Sequence, residues 1–87
     1  MIKTKQQLPK WFTGELYEEG ATVQNRFSGE EIELNSVELS MYDFIIGATT
    51  IYEMRGMSVD QDMLKDLRKG LDWFRMNNAE AYMVLLD

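Results

Sequence analysis

Neither cysteine nor histidine occurs anywhere in this 87-residue sequence. Without cysteine there is no disulfide, no thiolate nucleophile and no cysteine-ligated metal, and the redox compartment stays open. Without histidine, the commonest acid/base catalyst near neutral pH and the commonest transition-metal ligand are both missing. Every apolar run is far shorter than the ~20 residues that a membrane span needs. No apolar signal region follows Met1, so the expectation is a soluble, cytoplasmic chain.

Positive charge is also scarce. Nine Lys and Arg stand against fifteen Asp and Glu, a net charge of −6. A nucleic-acid binder must neutralise phosphates, and an acidic domain without a basic stripe is poorly placed to do so. Lys3, Lys5 and Lys10 form only a short basic lead, ordinarily a solvated tail, so no nucleic-acid partner is expected. What is present is the composition of a folded protein: 45% apolar residues, 28% charged residues and ten aromatic side chains. A chain of this length buries somewhat over ~60% of its unfolded surface. That allows one modest core and marginal stability.

Residues 1–10 are polar and carry the single proline, Pro9, which blocks regular pairing. They read as a flexible arm before one domain spanning 11–87. Trp11–Glu18 reads as a first strand, ended by Glu19-Gly20. Thr22–Phe27 alternates with period two, placing Val23, Asn25 and Phe27 on one face. Ser28-Gly29 supplies turn chemistry. Glu30–Leu34 alternates again, with Ile32 and Leu34 opposite Glu31 and Glu33. The pattern predicts a three-stranded antiparallel meander with one apolar and one acidic face.

Helical periodicity follows. Asn35 and Glu38 have the spacing of a capping box, and Gly56 suits the left-handed position after a helix end, which predicts a helix over Ser36–Arg55. Gly47 sits inside it at a cost of about 1 kcal/mol relative to Ala; the reading is a close approach by a strand or neighbouring helix. Ser58 and Gln61 suggest a second capping box before a helix reaching about Asn77, with Met63, Leu64, Leu67, Leu71 and Phe74 on its apolar stripe and Gly70 at the margin. Asn77-Asn78 then stops this helix and caps a short one over Ala79–Leu86, expected to dock over Trp73 and Met76. The fold class is therefore α+β: the meander, two antiparallel helices and a short C-terminal helix, the sheet packing on the helices.

Chemistry is thinly represented. Glu15, Glu18, Glu19, Glu30, Glu31 and Glu33 could converge at one end of the hairpins, and paired carboxylates can hold Mg²⁺ or Ca²⁺ or perform acid/base work in a metal-assisted hydrolase. No EF-hand spacing accompanies them, and solubility alone puts carboxylates on the outer face of a sheet. Ser28, Ser36, Ser40 and Ser58 have no histidine to activate them, and nothing in the spacing of Lys65 and Lys69 suggests a serine–lysine pair. There is no phosphate loop and no dinucleotide fingerprint. The reading is a non-enzyme without metal or cofactor.

The feature left over is the first helix. At roughly 100° per residue, Val37, Met41, Phe44, Ile45, Ala48, Ile51 and Tyr52 share one stripe, assigned to the sheet. Leu39, Tyr42 and Ile46 form a detached patch behind it, which Met54 extends. A surface helix of a monomer usually has one apolar stripe and a polar back. Fully burying a side chain such as Ile46 is worth about 1.5–3 kcal/mol, large for a small domain. The patch therefore predicts an interface at Leu39, Tyr42, Ile46 and Met54, either between two copies or with another protein, unless the C-terminal segment covers it. Seven methionines are many for this length, and Met side chains make adaptable contacts. For Met54, Met57 and Met76, local packing and a partner surface stand as equal alternatives.

Two stretches carry a resemblance. The first comprises Trp11-Phe12, Gly14-Glu15, Tyr17, Glu19-Gly20, Asn25, Phe27-Ser28-Gly29-Glu30 and Ser40-Met41-Tyr42-Asp43-Phe44-Ile45. The second is Arg68-Lys69-Gly70-Leu71-Asp72-Trp73-Phe74-Arg75 with Asn77-Asn78 and Glu80-Ala81-Tyr82. Together they resemble small uncharacterised proteins of tailed marine phages, including cyanobacterial phages. The resemblance covers most of the chain outside the first ten residues and Met54–Leu64. It implies a viral product made in a bacterial cytoplasm and acting by binding, and it transfers no functional residue. The leading functional expectation is a protein–protein interaction module, a homodimer acting on a host or viral protein. The rival, resting on the −6 charge, is an acidic nucleic-acid mimic that blocks a host enzyme.

Overall fold

A computed structural model of the chain describes residues 6–86. Lys3 and Lys5 of the basic lead lie outside the described residues, as does the side chain of Met57. The order of elements is β1 (Ala21–Gln24), β2 (Glu31–Leu34), α1 (Ser36–Arg55), a 3₁₀ turn (Gly56–Ser58), α2 (Gln61–Asn77) and α3 (Ala79–Leu85). The class is α+β, with one two-stranded antiparallel sheet and three α-helices among the described residues.

β1 and β2 pair with Val23 opposite Ile32 and Ala21 opposite Leu34, so the alternating apolar positions fall on one face. The turn between them is set by Asn25. Its side-chain oxygen accepts from the Phe27 and Ser28 amides at 2.7 and 3.1 Å, and Gly29 takes a φ of 80°. This side-chain competition for backbone donors ends β1 at Gln24. Phe27 therefore leaves the apolar face on which alternation placed it, and stands 93% exposed at the tip of the hairpin.

Trp11–Glu18, the expected third strand, is irregular. Adjacent residues Trp11 and Phe12 both pack against Phe44 of α1, each with its ring centroid 5.7 Å away. A strand sends neighbouring side chains to opposite faces, so this use of two consecutive aromatics is incompatible with one. The segment instead crosses α1, and the Tyr17 amide donates to Ser40 Oγ at 3.0 Å. Gln6–Lys10 also lie against the domain: Leu8 packs on the core, and the Trp73 indole N–H donates to the Gln7 carbonyl at 3.0 Å.

α1 begins and ends as its sequence dictates. Asn35 accepts from the Glu38 amide at 2.8 Å, and Glu38 accepts in return from the Asn35 amide at 3.0 Å, the reciprocal pattern of a capping box. Gly56, with φ of 59°, terminates it. The next helix starts differently from expectation. Asp60, not Ser58, caps α2, accepting from the Asp62 amide at 2.9 Å. Ser58 Oγ instead donates back to the Arg55 carbonyl at 2.8 Å within the 3₁₀ turn.

The core is built where α1, α2, α3 and β2 meet: Leu34, Met41, Ile45, Phe74 and Ala81 form one buried cluster. Gly70 belongs to it rather than to a margin, because a Cβ there would lie 3.2 Å from Met41 Sδ and 3.4 Å from Ile45 Cγ1. Its missing side chain sets the approach of α2 to α1. Buried Glu38 ties the corner together, its Oε2 accepting from Gln6 Nε2 at 2.9 Å and Asn78 Nδ2 at 3.1 Å. α3 packs on α2 and β2. It does not cover Met76, which is 82% exposed, while the indole of Trp73 is held by Gln7. Asn25 Nδ2 instead secures the end of α3 by donating to the Val84 carbonyl at 2.7 Å.

Candidate functional site

α1 is enclosed for half its length. Around Ser36–Ile45 three structures converge: the Trp11–Tyr17 segment on one side, α2 on another, and β2 with α3 on a third. Ile46–Arg55 has neither the sheet nor the N-terminal segment against it in any hydrogen bond or aromatic contact described. Ala48 is the buried residue of this half.

The four residues expected at an interface divide along this line. Leu39 and Tyr42 are half-buried and pack on the core cluster. The Tyr42 ring lies 6.2 Å from that of Phe74. Burial raises its hydroxyl pKa above the usual tyrosine value, partly offset by the nearby Arg26. These two residues are the rim of the core. Ile46 and Met54 are at the surface, 38% and 81% exposed.

Two further residues join them. Ile51 and Tyr52, assigned by periodicity to the buried stripe, are 41% and 42% exposed. A wheel assumes that a face buried at one end of a helix is buried along it. Here the sheet and the N-terminal segment stop short, so the stripe emerges from the core near Ala48. The reason is one of length: two strands of four residues, shorter and fewer than the expected meander, cannot cover a helix of twenty. At ~3.3 Å per residue a strand pair of that size spans ~13 Å, against ~30 Å for the helix.

Gly47 lies at the boundary. It is exposed, and a Cβ built on it meets nothing within 4 Å. The expected close approach of a strand or helix of the same chain is absent among the described residues. Electrostatically, the surface is sparse. Asp43 and Arg55 are exposed, and among the described residues the ion pair is Arg75–Asp72 at 2.9 Å, involving neither. Tyr17 marks the Asp43 end: partial burial and the adjacent Glu15 and Asp43 carboxylates raise its hydroxyl pKa above the ordinary value.

The remaining candidates do not assemble into a site. Glu15, Glu18, Glu19, Glu30, Glu31 and Glu33 are all exposed, and among the described residues no three acidic groups are placed to hold a metal ion together. Ser40 is spent structurally, its hydroxyl donating to the Ser36 carbonyl and accepting from the Tyr17 amide. A depression of about 390 Å³ is lined by Gly20, Ala21, Thr22, Glu33 and Leu34, with Glu33 its one ionisable side chain. Among the described residues no helix is long and apolar enough to cross a membrane. Compared with known proteins, the chain matches no family model, no curated protein and no solved structure.

Proposed function

We propose that this protein works by binding rather than by catalysis, as a homodimer whose contact surface is the second half of α1. One observation carries the reading: Ile46, Ile51, Tyr52 and Met54 stand exposed along Ile46–Arg55, where neither the sheet nor the N-terminal segment makes a hydrogen bond or an aromatic contact among the described residues. Apolar side chains concentrated on one projecting helix are the usual mark of a partner surface. The resemblance to small phage proteins extends the proposal to a phage product acting on a host or viral protein in a bacterial cytoplasm.

Sedimentation across a wide concentration range tests it. The protein should associate reversibly, and Ile46→Glu should weaken association while leaving the circular dichroism spectrum unchanged. A chain that stays monomeric at millimolar concentration would overturn the homodimer.

A further inference from the structure

The exposed ridge Asp43–Gly47–Ile51–Arg55 has a property that apolarity alone does not confer. These residues recur every four positions, so they form one continuous row on α1, and all four are exposed. Read in one direction the row is acid, gap, knob, base. Read in reverse it is base, knob, gap, acid. A second copy turned about a two-fold axis that passes between Gly47 and Ile51 of the row presents the reversed row. Asp43 then faces Arg55 of the other copy, and Gly47 faces its Ile51. A two-fold contact makes each pairing twice.

We infer that α1 docks antiparallel on α1 of a second copy of this chain, with Ile51 seated in the space above Gly47 and Asp43 paired to Arg55 across the axis. This specifies the register of the homodimer and rests on the binding reading above.

Independent observations support the occupant. Gly47 costs helix stability, about 1 kcal/mol against alanine, and its Cβ space is empty among the described residues. Among the described residues no packing accounts for a glycine there. A neighbouring helix that seats an isoleucine over it does. By contrast, Gly70, the other helical glycine in α1–α2 packing, is filled by Met41 and Ile45 of its own chain. The charges complement in the same register: Asp43, with Glu15 close to the same Tyr17 hydroxyl, makes one end of the row acidic, and Arg55 makes the other basic. Rows of this spacing on two helices align when the axes cross at roughly 50°, the commonest class of helix packing. A single helix crossing is small beside standard interfaces of about 1,600 Å², so the dimer is weak and responsive to salt.

Charge exchange followed by sedimentation equilibrium at low ionic strength tests the register. Asp43→Arg and Arg55→Asp each place like charges together and should weaken the dimer several-fold. The double variant Asp43→Arg/Arg55→Asp restores opposite pairing and should recover most of the wild-type affinity. Gly47→Leu fills the socket and should weaken association about tenfold, the size of an overpacking penalty. It should also raise thermal stability, since the position is open in the monomer. A wild-type dimer indifferent to Gly47→Leu, or a double variant no better than its parents, overturns this register while leaving the homodimer standing. A wild-type chain that never associates overturns both.

Discussion

The two halves of α1 belong to one continuous helix, yet they meet different fates. Ser36–Ile45 holds four of the five buried residues of the helix, including Met41 and Ile45 at essentially no exposure. Ile46–Arg55 holds one, Ala48, and exposes Ile46, Ile51, Tyr52 and Met54. Local propensity cannot explain the difference, because both halves form the same backbone. It arises from coverage. A helix becomes core only where other elements reach it, and here the N-terminal segment, the short sheet and α3 gather around one end.

Substitutions separate the halves by magnitude. The largest contrast is between Phe74→Ala, which hollows out the contact with the first half, and Ile51→Ala, which trims the second. Urea unfolding should show a loss of about 3–5 kcal/mol for the former and no more than about 0.5 kcal/mol for the latter. A comparable loss at Ile51 would mean that the second half is covered in the monomer after all.

Glu38→Ala comes next. It removes the acceptor for the Asn35 amide, Gln6 and Asn78, and about 1–3 kcal/mol should disappear from the denaturation midpoint. If stability hardly moves, the corner that closes the first half is held by packing alone.

The two glycines give a sharper pair. Gly70→Leu forces a side chain against Met41 and Ile45 and should cost about 1–3 kcal/mol. Gly47→Leu should stabilise the monomer by about 0.5–1 kcal/mol through helix propensity. Thermal melts at low protein concentration read both, and equal signs would erase the distinction between a filled and an open position.

The smallest effect is at alkaline pH. Burial raises the pKa of Tyr42 in the folded state, so between the unfolded and folded values the native protein binds more protons than the unfolded chain. Stability therefore falls as pH rises through and above ~10. Tyr42→Phe should flatten that decline in a pH series of denaturation midpoints.

Local rules were legible in advance. The capping box of Asn35 and Glu38, the stop at Gly56, the Gly29 turn and the cap at Asn78 all occur as their side-chain chemistry requires. Less legible were features that depend on what lies opposite. Asp60 displaced Ser58 as a cap because the chain turns through a 3₁₀ segment first. Trp11 and Phe12 abandoned a strand because Phe44 offered one surface to both. Of the expected interface, Leu39 and Tyr42 went to the rim of the core while Ile51 and Tyr52 came out of it.

By itself, then, the sequence determined where α1 starts and stops, where α2 gives way to α3, which strand positions of the hairpin share its apolar face and which catalytic chemistries lack their usual residues. Those outcomes follow from short-range contacts, within a few residues or across a tight turn. The tertiary structure decided which end of α1 is enclosed, whether Gly47 or Gly70 receives a neighbour, and that the Gln7 carbonyl receives the Trp73 indole N–H. Each of these is a contest between distant segments for the same surface. Periodicity names the candidates in such a contest, and only their lengths and positions in space select the winner.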